Sequence, residues 1–329
     1  NYRVRIINKD YIRELEEWSE MSEEERLGKK NPPKHFNIQY LGEGTKLMCG
    51  IFRNMTENGE IEVFSRVEFN PYLTERKNGN KAFNMFTPFP WVESLQSSHR
   101  GEPSSTLSTR LYRNSLFRNH IRETLCNNDP KVFEYVENWI AHLLQKPEER
   151  PDMCLIFVGY QGTGKDMFGK FISLLIGDTN FLVCGNMSNL LKNFNKEQEG
   201  KLLIVLNEIS NKGAHFDKAD QLKYQITAEH IRVEPKGIDP YKINHCARYI
   251  GFSNKENILH VEGSDRRFFM NKTNNKYANN TQYFKPLWKL LKDADFLESA
   301  FNYYATRDIF SKGSSLAKGS SLAKGSSLA

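Results

Sequence analysis

The pattern of apolar and polar positions changes period several times along this chain, most sharply between Cys154 and Gly177, CLIFVGYQGTGKDMFGKFISLLIG. Leu155 to Val158 form an unbroken apolar run, and a glycine-rich turn follows and ends in Lys165. Phe168, Phe171, Ile172 and Leu175 then recur on one face of a helical pattern that Gly177 stops. This order predicts strand, loop, helix. Phe181–Gly185 reads as another strand, followed by a helix carrying Leu190, Leu191 and Phe194. In KLLIVLNEIS, the apolar run Leu202–Leu206 predicts a buried parallel strand whose C-terminal end delivers Asn207 and Glu208 to the crevice of the glycine-rich turn. After a helical QLKYQIT, two short β runs flank Pro235-Lys236-Gly237, which predicts a hairpin with a lysine at its tip. ARYIGFSN then predicts a buried strand ending at Asn254.

Upstream the texture differs. Residues 10–27 predict an acidic amphipathic helix with Ile12, Leu15 and Trp18 on one stripe and a capping-box pattern at Ser22 and Glu25. FNIQYL, KLMCGIF and IEVFSRVEF predict strands between Phe36 and Phe69, the last two joined around Asn58-Gly59. Asn70 to Thr109, rich in Asn, Pro, Ser and Gly, reads as irregular connection with anchors at Phe83, Phe86, Phe89 and Trp91. Helices are predicted over Leu116–Cys126 and Lys131–Gln145, the second with a core stripe through Val132, Tyr135, Val136, Trp139, Ile140 and Leu143. QKPEERP at 145–151 is expected to be a domain boundary.

Composition narrows the class. A length of 329 residues leaves room for about two domains, and 12% aromatic with 26% charged residues excludes wholesale disorder. No run approaches the roughly 20 apolar residues of a membrane span, and NYRVRIINKD lacks a signal-peptide core. An intracellular protein is expected. Cys49, Cys126, Cys154, Cys184 and Cys246 are scattered without C-x2-C spacing, so buried reduced thiols are expected rather than disulfides or a zinc site. Of the net charge of +6, three charges belong to Lys312, Lys318 and Lys324 of a KGSSLA repeat that has no core to build and reads as linker. The remainder permits nucleic-acid binding without demanding it.

The candidate chemistry gathers at the glycine-rich turn. Gly159, Gly162 and Gly164 let backbone amides curl around phosphate oxygens, with Gln161 and Thr163 completing the loop, while a helix N-terminus and Lys165 add positive charge. The spacing G-x4-G-K fits a nucleotide-binding P-loop, except that Asp166 stands where a Mg-ligating Ser or Thr is expected. Since Asn207 correspondingly replaces a carboxylate on the acidic strand, Asp166 and Asn207 are expected to have exchanged metal-side roles. The alternative is that Asp166 only caps the helix. Arg266 and Arg267, between a Gly-Ser turn and an apolar pair, are either surface charge or a planar fork for a neighbouring subunit's nucleotide.

Taken together, GYQGTGKD, LLIVLNEI, IRVEPKGIDPYKI, YIGFSN and SDRRF, within about 110 residues, resemble the compact motif block of the superfamily three helicases, particularly the helicase part of poxvirus-type and phage-type primase-helicases. HIRETLCNNDPKVFEYVENWIAHLLQKPEERP resembles their helical lead-in, and the likeness runs from Leu116 to Met270. It implies an α/β, AAA+-like P-loop NTPase domain with a central parallel sheet over residues 151–310, a helical lead-in over 116–150, a smaller α+β region over 1–115 and a linker-like tail over 311–329. It further implies ATP and Mg²⁺ as ligands, a homo-hexameric ring and single-stranded DNA in its channel. Lys165 would bind phosphate, Glu208 act as catalytic base, Asn254 as sensor, Arg266 or Arg267 as finger in trans, and Lys236 grip DNA. No archaeo-eukaryotic primase pattern is evident upstream, so if a primase domain or subunit belongs to this protein it lies outside this stretch. The competing class is a nucleotide-binding replication scaffold or origin-binding module, which Asp166 and Asn207 favour. A packaging or remodelling ATPase is a third, against which the lysine-tipped hairpin argues.

Overall fold

In the computed structural model, residues 22, 66–71, 82–92, 105–185, 190–191, 195–207, 216–234, 240–254 and 265–309 are described. The expected helix at 10–27 apart from Ser22, the strands FNIQYL and KLMCGIF, Glu208, Lys236, Cys49, the tail and most of the helix at Leu190–Phe194 lie outside them.

The chain divides into two units. In the first, residues 1–68 and 75–84, strands β1 (Arg66–Glu68) and β2 (Ala82–Asn84) pair in parallel. β2 falls in the stretch expected to be irregular. Its three residues are too few for alternation to declare it.

The second unit comprises residues 69–74 and 85–329. Helices α1 (Ser105–Arg113), α2 (Leu116–His120) and α3 (Pro130–Gln145) precede the sheet. α1 begins four residues before the end of the stretch read as irregular. The Ser115 side chain caps α2, which runs on as one π turn over Ile121–Leu125. Asp129 caps α3 by accepting from the Lys131 and Val132 amides, with Pro130 in the first turn, where its missing N–H costs nothing. The predicted α3 stripe is buried throughout.

Strands β3 (Cys154–Val158), β4 (Phe181–Cys184), β5 (Leu203–Leu206), β8 (Arg248–Ser253) and β9 (Phe268–Lys272) form one parallel sheet in the order β4-β5-β8-β3-β9. Helix α4 (Lys165–Ile176) follows β3 and α5 (Phe216–Thr227) follows β5. β6 (His230–Val233) and β7 (Tyr241–Asn244) pair antiparallel as the predicted hairpin, whose tip is outside the described residues. Asn195 docks it, donating to the Arg232 carbonyl and accepting from the Glu234 amide. Helices α6 (Thr281–Leu290) and α7 (Ala294–Ala305) complete the unit.

Both sheet faces are covered, which is why the strands read as unbroken apolar runs rather than as alternation. Leu155, Phe157, Val205, Ile250 and Phe252 point into a core shared with α3, α4 and α7, whereas Cys154, Ile156, Ile204 and Tyr249 point into a second core with Leu222 and Ile226 of α5. Aromatic rings tie the helices together on the first face. Phe171 of α4 stacks on Tyr112 at 5.8 Å and meets Phe117 at 4.6 Å, and the Tyr112 hydroxyl bonds that of Tyr304. Glu137, buried within α3, takes both arms of Arg118 at 2.8 Å and lies 3.3 Å from Arg307. The ion pair is thereby well satisfied where an unpaired charge would be costly. The turn at 145–151 runs inside this unit. Its Lys146, Pro147 and Glu149 carbonyls, with His142, accept from the fully buried Arg248 guanidinium.

The four cysteines described, Cys126, Cys154, Cys184 and Cys246, are free and buried, as expected. Among the described residues no helix is long and apolar enough to cross a membrane.

Candidate functional site

The connection from β3 to α4 makes two left-handed backbone turns, at Gly162 (φ 78°) and Gly164 (φ 84°), which side-chain-bearing residues rarely adopt. They bend residues 159–164 into a cradle at the positive end of α4. Lys165 turns back into it, donating from Nζ to the Gly159 and Tyr160 carbonyls at 2.7 Å each and to Thr163 Oγ1 at 3.1 Å. Only 6% of Lys165 is exposed. Burial lowers its pKa to about 8, against which neighbouring Asp166 acts to raise it.

Three distant segments hold this loop from outside. The Asn279 amide, in a left-handed turn of its own, donates to the Gly162 carbonyl at 3.1 Å, and its side chain lies where any Gly162 side chain would go. Thr273 blocks Gly159 in the same way. Gly164 is backed by His120 and Phe284, whose atoms would stand 2.7 Å from an added Cβ. His120 sits at the junction of α2 and the π turn, a local widening often found beside functional sites. Its Nδ1 meets the Tyr283 hydroxyl at 3.2 Å, and its Nε2 faces the Gly164 backbone without forming a well-aligned bond. Burial lowers its pKa to about 4, although the Gly164 backbone acts in the opposite sense, so the ring is neutral at pH 7.

Across the C-terminal edge of the sheet stand Asn207, after β5, and Ser253 and Asn254, ending β8. They share with Gln161, Lys165 and Asp166 a cleft of about 1490 Å³. Ligands of open parallel sheets bind at this edge. Asp166 occupies the first turn of α4, but the cap is Gly164, which has no side-chain bond to offer, and Asp166 makes no capping bond either. The Asn207 Oδ1 atom is buried without a hydrogen-bond partner. Among the described residues no three His, Cys, Asp or Glu side chains group as a metal site.

Arg266 and Arg267 lie elsewhere. They precede β9, which pairs with β3 from Cys154↔Phe268 to Val158↔Lys272, so they sit at the opposite end of the sheet from Lys165. Arg267 pairs with Asp265 at 3.2 Å and is partly buried, while Arg266 is exposed. The structure thus gathers Gly159 through Asp166, Asn207 and Asn254 at one edge and separates both arginines from them.

The remaining wall of the cleft was not legible in the motifs. It is helix α6, which contributes Thr281, Phe284, Lys285, Trp288 and Lys289, with Lys292 just beyond its end. Lysines spaced i, i+4, i+7 around a tryptophan are the signal that marks this face. Asn279 and His120 offer no such signal, because the loop glycines they back, Gly162 and Gly164, are distant from them in the chain.

The fold is mixed α/β with a central parallel sheet of five strands, like that of the C-terminal region of NrS-1. The apo structure of that region matches with a TM-score of 0.57 and 22% identity over 80% of this chain and 57% of that one. A second apo structure matches with a TM-score of 0.58 and 23% identity over 74% and 55%. Residues 157–267 match a family of unknown function (DUF5906). In sequence the chain is related to a DNA primase-polymerase of Nitratiruptor phage NrS-1, 29% identical over 203 residues, which is 60% of this chain. It spans about a quarter (26%) of the length of that relative.

Proposed function

We propose that this chain is the ATP-hydrolysing, helicase-type part of a viral or mobile-element DNA replication protein, acting on single-stranded DNA as a homo-hexameric ring. The observation that carries the reading is the cradle. A lysine lies inside a loop of left-handed glycines at a helix N-terminus and shares its cleft with Asn207 and Asn254 at the C-terminal edge of the sheet. The strand order supports it. β8 stands between β3 and β5, so Lys165 and the acidic strand are two strand spacings apart, roughly 10 Å. That separation suits a terminal phosphate and an attacking water between Lys165 and the end of β5, where Glu208, next in sequence after Asn207, would act as base and Asn254 would orient the water. The relation to a phage primase-polymerase supports a role in replication. On this reading residues 151–310 are the ATPase body, 116–150 the helical lead-in, and Lys236 at the β6–β7 tip the contact to DNA.

Magnesium fits the donors present, since the Asp166 carboxylate and the unpartnered Asn207 Oδ1 are hard oxygens lining one cleft. The ion would neutralise charge developing on the transferred phosphate. Asp166→Ala should then weaken Mg-ATP binding about tenfold or more, the scale of a lost charge-assisted contact, while sparing metal-free ATP. Pairing Asp166→Ser with Asn207→Asp should restore hydrolysis that each single change loses, read by titration calorimetry and phosphate release. Equal tightening of ATP with and without Mg²⁺ in Asp166→Ala would instead mark the carboxylate as a mere repulsive neighbour. That result would favour the nucleotide-binding scaffold, the second reading these two residues support.

The function itself is tested by ATP hydrolysis with and without single-stranded DNA. Stimulation by DNA is expected, and Lys236→Ala should abolish the stimulation, lower DNA affinity across sequences and flatten its salt dependence while basal hydrolysis persists. Absence of hydrolysis under both conditions would remove the motor reading.

A further inference from the structure

The cleft exceeds the roughly 300–1,000 Å³ usual for a small-ligand pocket, and its α6 wall is unused by the phosphate chemistry. Leu287 of that helix is fully buried, and its C-cap Leu291 nearly so. Trp288, one residue along, is nonetheless 47% exposed and lines the cleft. Lys285, Lys289 and Lys292 flank it on the same wall. An indole held out to solvent among cations, facing a phosphate cradle, is the chemistry of a nucleobase platform.

The topology gives the direction. The acidic strand β5 lies on one side of β3, and β9, which leads into α6, lies on the other. A triphosphate seated with its terminal phosphate toward Asn207 and Asn254 therefore extends its other end away from β5, toward α6. We propose that Trp288 is the base-stacking platform of the nucleoside triphosphate site, with Lys285, Lys289 and Lys292 keeping the same wall positive for the ribose-phosphate end. This rests on the nucleotide-binding reading above and adds to it the part of the site that recognises a nucleoside rather than a bare polyphosphate.

The experiment compares ATP with inorganic tripolyphosphate, which carries the phosphates but no base, by titration calorimetry on the full chain. Trp288→Ala should bind ATP roughly 5- to 150-fold more weakly than the parent, the range found when a stacking aromatic is removed, and bind tripolyphosphate unchanged. Trp288→Phe should recover most of the ATP affinity, and ATP should change the fluorescence of the parent but not of Trp288→Phe. The assignment is overturned if Trp288→Ala binds ATP like the parent. It is overturned equally if both ligands weaken together, which marks a structural role, or if only affinity for a single-stranded oligonucleotide falls, which gives the wall to DNA. In each of these cases the parent still binds tripolyphosphate and ATP, and nucleotide binding stands. If the parent binds neither ligand, the nucleotide reading falls and takes the platform with it.

Discussion

Arg266→Ala is expected to bind ATP as the parent does and to hydrolyse it about 1,000-fold more slowly or worse, the range an arginine finger supplies in phosphoryl transfer. The expectation comes from position. Four residue steps of β9, roughly 13 Å, separate the arginines from the glycine-rich loop, so neither can serve the cleft of its own chain, while a neighbour in a ring could present its cleft to that edge. The two arginines are not equivalent. Arg267 is engaged by Asp265 and its main-chain carbonyl accepts from Cys154, whereas Arg266 is exposed, with Asp152 as a charged neighbour. Arg267→Ala should accordingly cost stability more than turnover. Complementation decides whether the action is in trans. Mixing Arg266→Ala with Lys165→Ala subunits should restore part of the activity, because some interfaces then join an intact cradle to an intact arginine. A mixture as inert as its parts, or full activity in Arg266→Ala alone, would dispose of the finger.

The second large effect belongs to Lys165. Lys165→Ala should weaken nucleotide binding about 100-fold or more, the scale of losing one partner of a desolvated charged contact. Lys165→Met serves as the variant that keeps the packing, and circular dichroism checks that it folds. The depressed pKa adds a signature no structural role would share. With a pKa of about 8 in the free protein and a higher one beside phosphate, binding takes up a proton once the pH exceeds 8. Affinity should therefore be level below pH 8 and fall by up to about tenfold per pH unit above it. The variants should lose that slope along with the affinity. A parent whose affinity is flat from pH 7 to 9.5 would contradict the assigned environment.

Much of the second unit was readable because its signals are local. Three central strands, β3, β5 and β8, are buried along their length and leave apolar runs, and Gly162 and Gly164 are demanded by backbone angles within the loop itself, whereas β9, with two buried residues followed by exposed and polar ones, was not predicted. The predicted hairpin, α3 and α5 follow for the same reason. What escaped depends on distance. α6 carries Pro286 and an outward face of lysines, so its apolar pattern is thin, and its value lies in returning to the loop from more than a hundred residues away. Asn279 reads as loop composition until its turn is seen against Gly162, and His120 reads as one more polar helix position until Gly164 is behind it. The separation of Arg266 from Lys165 needs strand order, which no motif spacing encodes.

The internal bonding of Lys165 has a kinetic consequence. Its ammonium is already held by the Gly159 and Tyr160 carbonyls, so an arriving phosphate must compete with two acceptors carried by the protein itself. On the proposed ATPase reading those acceptors would remain at hand after hydrolysis. As the leaving phosphate's grip slackened, the lysine would have somewhere to return to without waiting for water, and product would leave faster at the expense of resting affinity. A cradle of this kind favours repeated turnover over tight storage of nucleotide.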